Sequence, residues 1–249
     1  MSLAGATRGP LDVATAREAV HETCLQMVAA GLVIASSGNV SRRVDEDRFV
    51  VTAAGVPYGR LRPADHPVVD LRTGRWDGPR PPTSELALHR ALLGAGTDRA
   101  GGGTVDAVDA VVHTHSRYAA AFAVARLDLP FICNESLATR SERVLVTDYA
   151  PPGSVDLGEQ AFAAFARQPR SRAVLLANHG VVAIGPTLDE AFTVAHSVEW
   201  TAEICHLART LVAAGAGEHV LDAQIQDAMA RNYGVTIARA SSPGGPDRT

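Results

Sequence analysis

Two histidines separated by one residue are the first feature of this sequence that could perform chemistry. His113 and His115 follow the apolar run Ala110–Val112, which predicts a buried β-strand that ends at the pair. Side chains two residues apart in a strand share a face, with Cα atoms roughly 6.6 Å apart. Both imidazoles could then bind one metal ion, since zinc–nitrogen bonds are about 2.0–2.1 Å long. Taken alone, the pair is interpreted equally well as two solvated histidines at a strand end.

A third histidine interrupts a second apolar run. The stretch from Ala173 to Gly185 is apolar except for Asn178-His179-Gly180, so a buried strand is predicted to break at this triplet and then resume. Polar residues inside such a run conflict with packing, and conflicts of this kind concentrate at functional sites. His179 is therefore the candidate third ligand. Three histidines with an open position are typical of catalytic zinc sites, whereas structural sites have four protein ligands and are usually rich in cysteine.

Glu85 is the candidate acid or base. The sequence Pro81-Pro82-Thr83-Ser84-Glu85 is predicted to open a helix that runs through His89 to Leu93. The helix dipole would hold a carboxylate in the first turn, and a helix N-terminus can also bind an anion. Spacing alone favours a surface acid over a positioned base. His89, four residues later, could support Glu85 or be simply its neighbour.

Two turns rich in small residues could bring the backbone close to an anion. The first spans 35–41, where Asn39 and Ser41 could donate hydrogen bonds, and the second spans 52–58. Each signal is weak alone, because most turns of this composition are only turns.

The elements that must position these residues follow from periodicity, caps and turns. Helices are predicted from about Asp12 or Thr15 to Ala30, around 118–124, at about 157–167, from Thr187 past Leu207, and near 221–230. Strands are predicted at 40–43 and 48–52, paired across the turn at 45–47, and at 66–71, 129–133 and 143–149.

Two other groups of polar residues have plainer interpretations. His66 precedes a proline among polar residues, which favours a surface role. His196, Glu199, Glu203 and His206 lie near one another on the long helix and could in principle form a second metal site. A solvated or subunit-contacting face is favoured instead, because nothing nearby breaks the helical pattern.

Composition limits the class of protein. The 249 residues are 46% hydrophobic with a net charge of −4, so the chain has no basic footprint for nucleic acid. It contains no apolar run long enough to span a bilayer and no secretory hydrophobic core, and the three scattered cysteines have no CxxC spacing, which together predict a cytoplasmic protein. Without a repeat or a linker, a single domain over 1–249 is predicted, with disordered tails at about 1–11 and 241–249.

Six motifs occur in an order that resembles the class II aldolase/adducin family, in particular its enzymes of the L-fuculose-phosphate aldolase type. The resemblance covers about residues 15–237. The motifs are Ser-Gly-Asn-Val-Ser at 37–41, Thr-Ala-Ala-Gly at 52–55, Pro-Thr-Ser-Glu at 82–85, His-Thr-His at 113–115, Asn-His-Gly at 178–180 and Tyr-Gly-Val at 233–235. One of these motifs would mean little, but six in the same order are strong support.

The resemblance implies a three-layer α/β/α sandwich with a central, mainly antiparallel sheet, assembled as a homotetramer with active sites at subunit interfaces. A divalent metal, usually Zn²⁺ but also Mn²⁺, Co²⁺ or Fe²⁺, would be held by His113, His115 and His179. Glu85 would be the acid/base, and Tyr233 would reach an active site as a proton donor. A substrate phosphate would lie in a pocket formed by Gly38, Asn39, Gly55, Thr83 and Ser84.

The implied reaction is cleavage of a small ketose phosphate, such as a fuculose- or ribulose-1-phosphate-like sugar, through a metal-stabilised enediolate. Glu85 would protonate the enediolate carbon. Two positions depart from the sugar-phosphate aldolases: Ala54 lacks a hydroxyl expected to bind phosphate, and Asn134 stands where fuculose-phosphate aldolases have a pocket tyrosine. A non-phosphorylated substrate is therefore also compatible with the sequence.

Other activities of the same family remain alternatives. Its decarboxylases and dehydratases have similar metal ligands. Its 4-epimerases use an aspartate in the region that corresponds to 133–136, where this chain has none, which disfavours an epimerase. A non-catalytic adducin-like assembly module would lack the metal histidines, and here all three are present.

Overall fold

The computed structural model describes residues 11–94, 108–213 and 220–239. Its α-helices are α1 Val13–Ala29, α2 Leu86–Gly94, α3 Arg117–Ala125, α4 Val155–Arg167, α5 Leu188–Ala213 and α6 Ala223–Asn232. Its strands are β1 Asn39–Arg43, β2 Arg48–Val51, β3 Val68–Asp70, β4 Trp76–Asp77, β5 Ala110–Thr114, β6 Leu129–Pro130, β7 Arg143–Val144, β8 Ala173–Leu176 and β9 Gly180–Gly185. The proposed disordered tails fall almost wholly outside the described residues.

A seven-stranded sheet forms the middle layer of the fold. Its strand order is β4-β3-β2-β1-β5-β9-β8, and each neighbouring pair is antiparallel. β5 therefore lies between β1 and β9, with Asn39 opposite His113 and Val181 opposite Thr114. This central strand is buried along its whole length, which explains the continuous apolar run before the histidine pair.

Helices cover both faces of the sheet. Because successive side chains of a strand point to opposite faces, Val112 packs with α1, α3 and α5 in one core, whereas Val111 packs with α2 and α4 in the other. The result is the three-layer α/β/α sandwich with an antiparallel central sheet that the sequence motifs imply. Among the described helices, none has the length and apolar character needed to cross a membrane.

The second apolar run forms a hairpin rather than one interrupted strand. β8 and β9 pair antiparallel, with Leu176 opposite Gly180, so the chain reverses direction between them. Asn178 has a φ of +55° in this turn, a left-handed conformation that asparagine tolerates better than most residues. A strand was correctly predicted on each side of the triplet, but the reversal was not.

The strands predicted at 129–133 and 143–149 are much shorter than expected. Only β6 and β7 are strands, and they pair with each other in a separate sheet. The chain beyond β7 instead runs beside β8, where Thr147 N donates to Leu175 O at 2.9 Å. Its contact with β8 is an isolated parallel bridge between Val146 and Leu175, so the segment pairs with β8 at this point without forming a longer strand.

The predicted surface role of His66 is wrong, because its side chain is completely buried. Its Nδ1 accepts a hydrogen bond from Ala53 N at 3.2 Å, and its Nε2 lies 3.3 Å from Nδ1 of His21 on α1. The polar residues that suggested exposure satisfy one another instead: Asp65 accepts from Arg62 N and lies 3.5 Å from the guanidinium of Arg80. His66 thus stabilises the turn at 52–55 through its hydrogen bond with Ala53 N.

We expect acid to destabilise the fold through His66. Burial, with the nearby His21 and Arg17 adding to it, lowers the pKa of His66 from 6.5 to about 4. Between these pH values the unfolded chain binds a proton that the folded chain does not, so the free energy of unfolding should fall as pH falls from about 6.5 to 4, by up to about 3 kcal/mol.

His66→Asn isolates this contribution, since asparagine can still accept from Ala53 N but does not titrate. Denaturant unfolding of both proteins at pH 7, 6 and 5 should show a weaker pH dependence for the variant. Equal pH dependence in the two proteins would contradict the assignment.

Candidate metal centre

The histidine pair stands where β5 leaves the sheet. His113 is fully buried, and its Nδ1–H donates to Val181 O at 2.8 Å. In the neutral ring this bond leaves the lone pair on Nε2. His115 N donates to Leu32 O at 3.1 Å, which fixes the backbone just after the strand. The Nε2 atoms of His113 and His115 lie 2.9 Å apart, so the two rings meet although His115 lies one residue beyond the end of β5.

The hairpin between β8 and β9 supplies the third histidine. His179 N donates to Leu176 O at 3.0 Å, which closes the turn. Gly180 follows because the backbone of β9 passes so close to β5 that an added Cβ would lie 2.1 Å from Thr114 O. Each residue of the Asn-His-Gly triplet thus has its own part: Asn178 adopts the left-handed conformation, His179 is the candidate ligand, and Gly180 allows β9 to pass close to β5.

The three rings converge on one point. Their centroids are 4.7–4.8 Å apart and the rings meet edge to face. With Glu85, each residue contributes one donor atom, and these atoms all lie within 4.8 Å of one another. A tetrahedral ion with bonds of about 2.1 Å needs donors about 3.4 Å apart, so small side-chain adjustments would complete its coordination. The three imidazole nitrogens fit a divalent ion such as zinc, and the Glu85 carboxylate lies next to them, within reach of the position that they leave open.

Glu85 lies just before α2 with its side chain turned into the cluster. Its Oε2 is 3.0 Å from His113 Nε2, its Oε1 is 3.0 Å from His179 Nε2, and the residue is only 5% exposed. The surface position that spacing alone favoured is therefore wrong. The structure places the carboxylate within the histidine cluster.

Glu85 and His113 shift each other's pKa in opposite directions. Burial would raise the pKa of Glu85, but the charge of His113 and hydrogen bonds from His113, His179 and Asn39 outweigh it, so that the pKa is strongly lowered. Burial would likewise lower the pKa of His113, but the Glu85 carboxylate raises it. Burial and the two neighbouring histidines lower the pKa of His115 to about 4.

A cavity of about 510 Å³ opens next to the cluster. Every residue predicted to bind phosphate lines it, together with Glu85, His115 and His179; these are Gly38, Asn39, Gly55, Thr83 and Ser84. Ala54 also lines it, without the hydroxyl expected there. The cavity further includes Ser36, Ser37, Pro152 and Asn178, which sequence reasoning missed, although the two serines adjoin the Gly-Asn motif.

Several backbone donors of this cavity are already engaged. Ala53 N donates to His66, Ala54 N to Pro81 O and Thr83 N to Thr52 O. Both polar side-chain atoms of Asn39 are bonded as well, to Glu85 and to His89. An anion in the cavity would therefore depend strongly on hydroxyl groups such as that of Ser84.

Tyr233 lies apart from the cluster. It is 71% exposed and borders a different cavity of about 420 Å³, together with Arg140 and Val235. The single chain thus does not bring this residue to the histidines. Asn134 is also exposed and does not border the cavity next to the metal cluster.

The polar face of α5 does not form a second metal site. Glu199 instead accepts hydrogen bonds from Tyr118 N and Ala119 N at 3.0 and 2.9 Å, so it caps the first turn of α3. Within the described residues, the group of possible metal ligands is Glu85 with the three histidines. This agrees with the plainer interpretation of the α5 face.

Comparison with known sequences places this geometry in context. Residues 18–206 match the profile of the family described as Class II Aldolase and Adducin N-terminal domain. The 5-methylthioribulose-1-phosphate/5-deoxyribulose-1-phosphate aldolase of Rhodospirillum rubrum is 32% identical, over 75% of this chain and 78% of the relative. The 5-deoxy-D-ribulose 1-phosphate aldolase of Bacillus thuringiensis is 30% identical, over 78% of this chain and 86% of the relative.

Comparison with solved structures agrees. An L-fuculose 1-phosphate aldolase superposes with a TM-score of 0.77 at 27% identity, and the match covers 88% of this chain and 96% of that one. The similarity therefore extends beyond the local cluster to the arrangement of the whole sandwich.

Proposed function

The chain belongs to the class II aldolase and adducin family, and from this premise we propose that it is a metal-dependent aldolase that cleaves a ketose 1-phosphate. The observation that carries the proposal is that Glu85, two histidines of the cluster and the Thr83-Ser84 hydroxyl pair line one cavity, with His113 completing the cluster beside them. A non-catalytic assembly module needs none of these groups together.

His113, His115 and His179 would hold the metal. A divalent ion there supplies Lewis-acid stabilisation of the negative charge that develops on the substrate, worth several kcal/mol. Zn²⁺ suits the donor set, and Mn²⁺, Co²⁺ and Fe²⁺ are the alternatives.

Glu85 transfers the proton. When the bond between C3 and C4 breaks, an electron pair remains on C3 beside the ketone, and the carboxyl group of Glu85 gives that carbon a proton. In the synthetic direction the carboxylate removes the same proton. The hydroxyls of Thr83 and Ser84 hold the phosphate, so that the reacting carbon stays within reach of Glu85.

Tyr233 serves the active site of a neighbouring subunit in a homotetramer. It would exchange the proton of the hydroxyl on C4, which becomes the aldehyde oxygen. Its exposure is consistent with this role, since the phenol is available to another chain.

A subunit-mixing experiment tests this arrangement. Tyr233→Phe and His115→Ala should each be poor in cleavage as homo-oligomers. When the two are mixed and reassembled, sites with an intact cluster from one chain and an intact tyrosine from another should regain activity. If the mixture stays as inactive as its components, Tyr233 does not act across an interface.

The cavity and the relatives support this substrate class. The relatives from Rhodospirillum rubrum and Bacillus thuringiensis are named as aldolases of ribulose 1-phosphates with a 5-methylthio or 5-deoxy end. The hydroxyl absent at Ala54 would cost roughly 1.5–3 kcal/mol of phosphate binding if nothing replaced it. Ser36 and Ser37 border the same cavity and provide other hydroxyls.

A substrate panel tests the proposed function. The metal-loaded protein is incubated with L-fuculose 1-phosphate, ribulose 1-phosphate and 5-deoxyribulose 1-phosphate, and dihydroxyacetone phosphate is measured by a coupled reduction with NADH. Its release from at least one sugar, abolished by a chelator, is the expected result. Failure on all three, with loss of CO₂ or water from a sugar acid instead, would favour a decarboxylase or dehydratase of the family.

A further inference from the structure

A row of buried polar side chains leads away from Glu85 into the protein. Ser41 Oγ lies 2.6 Å from His89 Nδ1, His89 Nε2 lies 2.5 Å from Asn39 Oδ1, and Asn39 Nδ2 lies 2.8 Å from Glu85 Oε2. Ser41 and His89 are completely buried, and Asn39 is 4% exposed. The row connects β1 to α2 and ends on the carboxylate that we assign as acid/base.

The direction of each hydrogen bond in this row is determined. An ionised carboxylate only accepts, so the Asn39 atom that faces Glu85 must be the amide nitrogen. The Asn39 carbonyl then faces His89, whose Nε2 must carry the proton. His89 Nδ1 is left as an acceptor for the Ser41 hydroxyl. Burial lowers the pKa of His89 to about 3, which is consistent with a neutral ring in this arrangement.

The hydrogen bond from Asn39 to Glu85 would matter most when a metal ion occupies the histidine cluster. Three side chains place a nitrogen within 3.0 Å of the Glu85 carboxylate, those of His113, His179 and Asn39. The two histidines would direct Nε2 to the ion, which leaves Asn39 as the donor to the carboxylate. If the Asn39 side-chain amide could rotate by about 180°, its carbonyl oxygen would face Glu85. The two oxygens would then repel each other.

We propose that His89 is a positioning residue, which holds the Asn39 amide so that it donates to Glu85 Oε2 and leaves Oε1 to exchange protons with the substrate. The proposal rests on the function proposed above. It differs from a purely structural role, in which His89 only joins α2 to β1 and its loss lowers stability without changing the chemistry of the folded protein.

Two substitutions of His89 separate these roles. His89→Met fills a similar volume but cannot donate to Asn39, whereas His89→Gln retains an N–H near the position of Nε2. Leu88→Ala is the matched control, because Leu88 is equally buried on α2 but packs in the core between α2, α4 and the sheet. The Leu88→Ala substitution should lower the melting temperature and leave the hydrogen bonds among Ser41, His89 and Asn39 intact.

The measurements are metal content, kcat, KM and the rate at which dihydroxyacetone phosphate exchanges a C3 proton in D₂O. For His89→Met we expect kcat and exchange to fall roughly 10-fold to 100-fold, with metal content and KM close to wild type. His89→Gln should recover most of the loss. Leu88→Ala should keep the wild-type kcat in its folded fraction.

Several results would overturn the proposal. These are a wild-type exchange rate in His89→Met, a Gln variant as impaired as the Met variant, or loss of metal together with activity. If His89→Met does not fold, Ser41→Ala decides, because it removes the donor that fixes the His89 tautomer: slower exchange with metal retained supports the proposal, and an unchanged rate refutes it. A wild-type protein that neither cleaves nor exchanges would overturn the proposed function as well, whereas an active wild type with an unimpaired Met variant overturns the positioning role alone.

Discussion

His115→Ala is expected to lose metal and cleavage activity together. His115 is one of three nitrogen donors, and its ring contacts both of the others at 4.7–4.8 Å between centroids. Two remaining imidazoles bind a divalent ion far less tightly at neutral pH. Since the ion is assigned several kcal/mol of transition-state stabilisation, the cleavage rate should fall by about 1,000-fold or more.

Elemental analysis and kcat on the same preparation measure both effects. His196→Ala is the matched control, because His196 is exposed on α5 and its ring stacks on Phe192 rather than on the cluster. It should keep metal and activity. A His115→Ala protein with wild-type metal content, or one that is metal-free but fully active, would contradict the assignment of the site.

Glu85→Gln is expected to keep the metal and lose proton transfer. Glutamine has nearly the same shape and can still accept from Asn39, but it cannot take up a proton at neutral pH. The three histidines remain, so metal content should stay close to wild type. General acid–base catalysis contributes about 100-fold to 10,000-fold, and we expect cleavage and C3 exchange to fall by a factor in that range.

Deuterium uptake into dihydroxyacetone phosphate, followed by NMR, measures this step without the aldehyde half of the reaction. Glu135→Gln, at an exposed position in the turn 134–139, is the matched control. Exchange at the wild-type rate in Glu85→Gln would show that another group is the base. Exchange should also persist in Tyr233→Phe, because the tyrosine is assigned to the other half of the substrate.

The local parts of the site could be predicted from the sequence. The alternation of side chains along a strand places His113 and His115 on one face, whatever the rest of the fold does. The break in the second apolar run identified His179 as a candidate ligand, because polar residues in a buried run are unfavourable and such conflicts concentrate at functional sites. Both inferences depend on a few neighbouring residues, and the structure agrees with the placement in each case.

The long-range parts could not be predicted in the same way. The sequence left open whether His89 supports Glu85 or is simply its neighbour, since the hydrogen-bond partners of His89, Ser41 and Asn39, are 48 and 50 residues away. His66 looked exposed because its sequence neighbours are polar, but those neighbours pair with one another. An apolar run also does not show whether the chain continues straight or reverses, so the sequence could not predict the hairpin between β8 and β9.

Tyr233 shows a further limit. Its motif could be recognised, but the role that we propose for it depends on a second subunit, and no pattern within one chain specifies where another chain lies. For Glu85, spacing along the sequence favoured a surface position, but the fold buries the side chain within the histidine cluster. Only contacts between β1, β5, α2 and the β8–β9 turn reveal that location.

The dependence of cleavage rate on bound metal is the most direct test of the central claim, that the three-histidine cluster is the catalytic centre of an aldolase. The protein is stripped with a chelator, reloaded stepwise with Zn²⁺, and assayed for dihydroxyacetone phosphate release at each metal content. We predict that the stripped protein is inactive and that the rate rises in proportion to bound metal up to about one ion per chain. Full activity in the stripped protein, or a rate unrelated to bound metal, would contradict the claim.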